Sequence, residues 1–330
     1  MKKEFIFFLL LILCSSCYGE LDLDNYKTTP KAVLNAPILA DSTINASISR
    51  TWFFSEDNPD VMIKNAQVNL YLNNIPQGQM SWRNVGNKGM YYSKVIPKGG
   101  DIIKIVAQTE LGEVWAEDTI PFSKVKIDDI KITKKNIGST NSSTVTDPSG
   151  IHVIEKSSAI EISYQITFQD IPNQANFYFI RIEDYQSSIA DIGVLYYDSE
   201  PVFIHENSGI DGILNKNISS PGGRTFTDEL FKGKPYTLII KEKASASDYE
   251  YGEKLNRKIS LYTLSRTYYN YLTSIQRLQE EQLSQNLAEL GLAEPSPVFS
   301  NVNGGSGILS ASQRDFQIIN LRTIIPIDSK

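Results

Sequence analysis

From Lys31 onward, apolar and polar residues alternate in short runs broken by turn-forming pairs, and this period of two constrains the fold more than any other feature of the chain. Val68, Leu70 and Leu72 alternate with Gln67, Asn69 and Tyr71. Similar runs span 32–39, 44–54, 90–96, 102–107 and 114–120, punctuated by Asn73-Asn74, Gly86-Asn87 and Gly99-Gly100. Successive strand residues point to opposite faces, so each run offers one apolar face, and tight turns between runs favour antiparallel pairing. About seven short strands before Pro121 predict a β-sandwich, Ig-like or transthyretin-like, over residues 31–122.

Val125, Ile127, Ile130 and Ile132 open a second β region, 123–330, and the Ser/Thr-rich stretch from Gly138 to Gly150 reads as a loop. Strand patterns return at 160–168, 176–182, 202–205, 236–241 and 316–325. One segment changes period: Leu264, Tyr268, Tyr271, Ile275 and Leu278 recur at helical spacings of three and four, predicting a helix over about 263–286. The expected architecture is therefore mainly β, with two β-sandwich-like domains, the second carrying one long amphipathic helix.

Ahead of the β region stands an export signal. Lys2 and Lys3 precede an apolar stretch from Phe5 to Leu13, far short of the roughly 20 residues a spanning helix needs. The small pair Ser15-Ser16 then leads into Cys17, the pattern of a lipoprotein signal cleaved after residue 16 with acylation of Cys17. Cys14 is a poorer acceptor because the bulky Leu13 would occupy the site before cleavage. An unacylated chain with a plain signal peptide is the alternative. Several acyl chains on Cys17 would exceed the two signals that stable anchoring requires, so the expected partner of residue 17 is a lipid bilayer. Residues 17–30, with Glu20, Asp22 and Asp24, read as an acidic tether, either a solvated spacer or a sorting signal.

The full chain carries a formal charge of −6, and loss of Lys2, Lys3 and Glu4 makes it one unit more negative. An acidic body lacks the basic footprint that nucleic acid demands, so nucleic acid is excluded as a partner. Both cysteines, Cys14 and Cys17, lie in the signal, which leaves the body to be stabilised by packing without disulfides.

The chemistry of catalysis and metal binding is thin. His152 and His205 are the histidines of the chain. Asp147, Ser149 and His152 bring the residue types of a hydrolytic triad close in sequence, but a triad is a spatial arrangement, and the segment reads as a turn entering a strand. His205-Glu206 with Asp198 and Glu200 lacks the histidines and thiolates of a zinc site. The run Glu56-Asp57-Asn58-Pro59-Asp60 offers oxygen ligands but not the ordered calcium loop, and reads as a solvated hairpin tip. Gly304-Gly305-Ser306-Gly307 lacks the Lys-Ser/Thr of a phosphate cradle. No cofactor, metal or catalytic set is expected. The aromatic residues Trp52, Phe53, Trp82, Trp115, Tyr196 and Tyr197 are candidates for a stacking platform or partner patch, weighed against the core positions such residues usually fill in sandwiches.

Three segments carry a family resemblance: Thr225–Tyr236 (TFTDELFKGKPY), Leu264–Tyr271 (LSRTYYNY) and Glu294–Ile308 (EPSPVFSNVNGGSGI). Read together they resemble the Bacteroidota lipoprotein family known as domain of unknown function 4249. The acidic residues behind Cys17 likewise resemble a surface-export signal of Bacteroidota lipoproteins. The resemblance implies an outer-membrane lipoprotein facing the cell exterior, with a TonB-dependent barrel as a partner and no catalytic residues to carry over. On the residues alone, the three segments read as fold determinants, with glycines in a tight loop or packed under the helix and tyrosines at its rim. The expected function is a lipid-anchored, non-enzymatic accessory or ligand-capture protein. The alternatives are a surface hydrolase using scattered carboxylates, which a facing carboxylate pair across a cleft would favour, and an adhesin or envelope scaffold with a flat apolar patch.

Overall fold

A computed structural model describes residues 28–53, 56, 59–85, 88–146, 152–185, 193–197, 200–204, 223–245, 256–280 and 297–321. Cys17, most of the acidic tether, and the segment from Asp147 to Ile151 lie outside the described residues, as do Asp198, His205 and positions 281–296.

The first strands are β1 (Ala32–Leu39), β2 (Ile44–Arg50), β3 (Gln67–Leu72), β4 (Ile75–Gln79), β5 (Ser81–Val85), β6 (Lys88–Ser93), β7 (Ile102–Thr109) and β8 (Gly112–Thr119). Then follow β9 (Ile127–Thr146), β10 (His152–Gln169), β11 (Phe177–Asp184), β12 (Val194–Tyr196), a four-residue helix α1 (Pro201–Ile204), β13 (Arg224–Thr227), β14 (Pro235–Ser245) and β15 (Asn256–Leu264). Helix α2 (Arg266–Glu280) and β16 (Ser306–Asn320) complete the described chain.

The strands form an eight-stranded sheet, in the order β13-β11-β15-β16-β1-β2-β6-β5, and two four-stranded sheets, β12-β14-β10-β9 and β4-β3-β7-β8. Two hydrophobic cores result. One is built from Leu34, Ile38, Ile48, Val68, Leu70, Ile103, Ile105 and Val114, with Leu309 and Ala311. The other contains Ile162, Tyr164, Ile166, Tyr178, Ile180, Leu238, Ile240, Ile259 and Leu261, with Ile319 and Leu321. Each fully buried aliphatic side chain contributes about 1.5–3 kcal/mol of transfer free energy, so the two clusters are the main source of stability.

Strand β16 belongs to both cores. Its first half pairs in parallel with β1, from Val33 opposite Ser306 to Leu39 opposite Ser312, and it pairs antiparallel with β15 from Ser312 to Asn320. The odd-numbered side chains of β16 face inward along its whole length. Leu309 and Ala311 fill the first core and Ile319 the second. Between them, Gln313 donates to the Pro121 carbonyl (2.5 Å), Asp315 accepts from the Ile127 amide (2.9 Å) and Gln317 donates to the Ile127 carbonyl (3.0 Å). The crossing from 121 to 127 is thus pinned to one strand.

Five sequence expectations change. Residues 202–204, read as part of a strand over 202–205, lie instead in the four-residue helix α1, where the Phe203 amide donates to the Glu200 carbonyl (3.1 Å). Gly138–Thr146 is strand within β9, paired with His152–Ala159 in a ladder that runs beyond the part of β10 held by β14. A strand that pairs with one neighbour needs no alternation, so its Ser/Thr composition resembled a loop. Strand β2 stops at Arg50 rather than continuing to Phe54, because the chain turns where Glu56 accepts from Arg50 and from the Phe53 amide. Strand β16 begins ten residues before the expected start at Phe316. The helix starts at Arg266, since Thr263 and Leu264 remain paired with β16, and Ser265 caps it by accepting from the Tyr268 amide (3.0 Å).

Candidate functional site

The candidate binding site is a groove of about 470 Å³ lined by Asp60, Lys64, Asn65, Gln67, Gln108 and Glu110 among others. It is assembled from two chain crossings. Residues 61–63 run antiparallel to the end of β2, with the Arg50 amide donating to Val61 O and the Ile63 amide to Ile48 O, both at 2.9 Å. The β7–β8 hairpin supplies the other wall, its turn held by Thr109 Oγ1 donating to the Gly112 carbonyl (2.8 Å). Met62 and Ile63 give the lining its apolar part, and the other lining side chains are amides, a hydroxyl and charges.

Charges around the groove are ordered by local pairing. Lys64 Nζ lies 2.8 Å from Asp60, and this ammonium together with the Met62 amide holds the Asp60 carboxyl below its ordinary range. Arg50 binds Glu56 at 2.8 Å, which raises the guanidinium pKa, and the carboxylates of Glu110 and Asp60 add to the effect. These pairs are solvent-accessible, so they orient the rim more than they stabilise the fold. The arrangement suits a small polar ligand carrying amide, hydroxyl or charged groups. The described chain enters beside the end of β2: Lys31 N donates to Thr51 Oγ1, and Thr51 N to Lys31 O, both at 2.9 Å.

The six aromatic candidates are dispersed over both halves of the fold. Trp52 is exposed and stands two residues beyond Arg50; Phe53 is half-buried. Trp82, on β5, packs edge-on against Tyr91 with centroids 5.1 Å apart, at the border of the first core. Trp115, on β8, is half-buried beneath Lys104 Nζ at 4.4 Å. Tyr196 carries Lys243 Nζ at 4.4 Å, whereas Tyr197 is buried in the second core against Phe203. Desolvation raises the pKa of the Tyr197 hydroxyl, partly offset by Arg224.

Four sets of buried carboxylates have partners that the sequence does not indicate, Glu200 being weighed there only as a metal donor. In the first, Asn176 Nδ2 donates to both Asp170 and Asp228 (3.1 Å each), the Gly233 amide donates to Asp170 (2.5 Å) and Tyr178 OH donates to Asp170. Burial, then the neighbouring Asp170, raises the Asp228 pKa. In the second, Arg257 reaches Glu242 at 2.9 Å and Asp184 at 3.7 Å, while Tyr164 OH (2.5 Å) and the Gly193 amide (2.9 Å) also donate to Glu242. Third, Glu200 accepts from Tyr236 OH and from the Ile239 amide, and burial raises its pKa. Fourth, Asp118 joins β8 to the Ser265 hydroxyl (2.5 Å) and to the Ala311 amide (2.8 Å).

These carboxylates sit among donors inside the sandwiches, where they fix the packing of the layers. Among the described residues, no group of three or more His, Cys, Asp or Glu side chains is placed to hold a metal ion. Residues Glu56 and Asp60 of the acidic run are engaged by Arg50 and Lys64, while Asp57 and Asn58 lie outside the described residues.

The three resemblance segments each have a structural task. Asp228 ties the first to β10 and β11 through Asn176. The second contains the Ser265 cap. In the third, Asn301 donates to the Leu309 carbonyl and accepts from its amide, at 2.9 and 3.0 Å, which folds the glycine turn onto β16. The glycines pack against backbone of β1 and β8 rather than under the helix: a Cβ at Gly305 would lie 2.3 Å from Ala32 O, and one at Gly304 2.2 Å from Glu113 O.

The described residues make this a mainly β protein. It belongs to the family described as domain of unknown function DUF4249, whose model matches residues 19–317. No curated protein matches the chain. A solved structure described as "Putative membrane anchored protein from Corynebacterium diphtheriae" is similar at 10% identity with a TM-score of 0.20, covering 71% of this chain and 54% of that one. The chain thus spans about half the length of that protein, and a similarity at this level carries no shared fold. No helix among the described residues is long and apolar enough to cross a membrane.

Proposed function

We propose that this chain is a lipid-anchored, non-enzymatic capture or accessory protein of the outer membrane, facing the cell exterior and working beside a TonB-dependent transporter. The observation that carries the reading is the signal ending at Cys17, where a short apolar core and a small pair precede an acylatable cysteine. Two further features support it. A groove lined by Asp60, Lys64, Gln108 and Glu110 offers room for a captured polar ligand. The buried carboxylates are held by donors within the sandwiches rather than paired across the groove.

The test has three readouts. Mass spectrometry of the mature N-terminus reads acylation at Cys17, protease added to intact cells reads exposure, and purification in mild detergent reads the partner. Acylated, protease-sensitive protein recovered with a β-barrel transporter is the expected result. An unacylated chain free of membranes overturns the reading, and acylated protein recovered alone removes the transporter from it.

A further inference from the structure

Strands β11, β15 and β16 turn one face to the second core, where Ile180, Ile182, Ile259, Leu261 and Ile319 are buried. Side chains alternate along a strand, so Arg181, Lys258, Ser260, Tyr262, Arg314 and Phe316 share the opposite, outer face. The register sets Ser260 of β15 between Arg181 of β11 and Phe316 of β16, with Lys258 and Tyr262 two residues to either side. Helix α2 flanks this face, where Tyr268 interacts electrostatically with Tyr262 and Arg181. Two neighbouring donors of the face are buried without hydrogen bonds. Ser260 is 0% exposed, and neither its Oγ nor the Arg181 Nε makes a hydrogen bond. Directly opposed residues of an antiparallel pair hold their Cβ atoms about 5 Å apart, so a single acceptor oxygen can serve both donors. A buried hydroxyl left unpaired destabilises a fold, and its presence calls for a partner.

The charges around these donors point to an anion as that partner. Arg181 Nε lies 3.0 Å and Lys258 Nζ 3.1 Å from Glu183, so two cations share one carboxylate. The third cation, Arg314, has no ion pair among the described residues; its guanidinium packs against the rings of Tyr262 at 5.9 Å and Phe316 at 5.2 Å. Lys258 Nζ stands 5.4 Å from the same Phe316 ring. Ring contacts hold a cation in place while leaving its N–H donors free. On a chain of formal charge −6, this face therefore carries an excess of two positive charges, three cations against Glu183.

We propose that this face binds a soluble phosphomonoester with an apolar body. The phosphate oxygens accept from Ser260 Oγ, Arg181 and Arg314, and Lys258 adds its charge. A phosphomonoester is close to a dianion at neutral pH, which matches the excess of two, and its tetrahedral oxygens reach a hydroxyl and two guanidinium groups at once, where the two oxygens of a carboxylate reach fewer. The apolar body lies against Phe316 and Ile318, each 45% exposed. Ser260 sits beneath its neighbours, so the phosphate enters between the Arg181 and Phe316 side chains, both of which reach solvent. A bilayer resting on this face would meet the cations but not the covered hydroxyl, which favours a small soluble ligand. The site shares no residue with the groove of Asp60 and Glu110, and it holds whether or not Cys17 is acylated.

The test is calorimetric titration of the full-length protein, in mild detergent, with phenyl phosphate as the probe and with phenyl sulfate, a monoanion of the same shape, and uncharged phenol as comparisons. Saturable binding of phenyl phosphate, weaker binding of phenyl sulfate and none of phenol are expected. Arg314→Gln should weaken the binding at least about tenfold, the loss of a charge-assisted hydrogen bond, whereas Lys104→Gln, over Trp115 in the first sandwich, should leave it unchanged. Ser260→Ala should also weaken it, yet leave the melting temperature of the ligand-free protein unchanged or raised, because the hydroxyl is unpaired there. Absence of binding at millimolar probe overturns the proposal, as does binding that survives both Arg314→Gln and Ser260→Ala. A lowered melting temperature for ligand-free Ser260→Ala overturns it too, since the hydroxyl would then be paired within the fold. In phosphatidylcholine vesicles the anchored chain should bind the probe equally with and without added phosphatidic acid; competition by that lipid overturns the soluble ligand and makes the face a membrane contact.

Discussion

Ser265 and Asp118, 147 residues apart, are joined by a 2.5 Å hydrogen bond in which the hydroxyl that caps α2 donates to a carboxylate of β8. The same carboxylate accepts from the Ala311 amide at 2.8 Å. One side chain of β8 thus satisfies a main-chain amide of the strand shared by both cores and the capping hydroxyl of α2.

Burial pushes the Asp118 carboxyl up to about 6, against the lowering effect of its donors Ser265, Thr119, Ala311 and Thr267. A raised carboxyl pKa means the fold retains a proton that the unfolded chain releases from about pH 4 upward. Its contribution to stability is complete below about pH 4 and is lost as pH rises to about 6, a change on the order of 3 kcal/mol. Asp118→Asn should flatten that part of the profile. Urea midpoints at about pH 4 and pH 7 check it; equal pH dependence in the variant and the parent would refute the assignment.

Gly307 combines φ +112° with a position where a Cβ would lie 2.1 Å from the Leu34 carbonyl oxygen. Gly307→Ala should cost at least about 2 kcal/mol, through strained backbone and displacement of β1. Gly78 has φ +94° and nothing within 4 Å of an added Cβ, so Gly78→Ala should cost about 1 kcal/mol from backbone strain alone. Chemical denaturation of the pair separates crowding from conformation, and equal losses would contradict the close approach.

Arg257 is 1% exposed between Glu242 and Asp184. Arg257→Met leaves two buried carboxyls without their cation and should destabilise by about 3–5 kcal/mol. The triple change Asp184→Leu, Glu242→Met and Arg257→Met should recover most of that loss. Failure of the triple variant to exceed the single one in thermal stability would show that the ions do more than compensate one another.

Asn176 donates to Asp170 and Asp228 at once. Asn176→Leu removes both hydrogen bonds and should cost about 2–4 kcal/mol, partly recovered at low pH as Asp228 takes up a proton. A melting temperature unchanged by the substitution would show that the neighbouring amides suffice.

Period-two runs such as 67–72 and 102–107 marked their strands because each has one buried and one solvated face, as the alternating burial of β3 and β7 shows. Strand β4 is exposed along its length and gave no alternation to read. The double role of β16 was hidden differently. Its residues 309–312 are buried on both faces, and the glycines before it read as a turn in isolation, whereas their need for close contact with β1 and β8 is a tertiary fact. The candidate groove left only the acidic run 56–60 as a trace in the sequence, because Gln108 and Glu110 reach it from a hairpin some fifty residues away. The buried carboxylates were equally silent, since abundance of Asp and Glu says nothing about which of them meet Asn176 or Arg257.

Because Leu34 and Ile38 lie beside Leu309 and Ala311, and Ser312 Oγ donates to Ile38 O across 274 residues, the first sandwich lacks one of its strands until almost the whole polypeptide has emerged. Synthesis runs from the N-terminus, so the earliest segment must wait, incomplete and with an unpaired β1, for the latest. Completion of the first sandwich is then a late event of synthesis, and a chain interrupted before Ser306 would carry an unfinished first half rather than a finished domain.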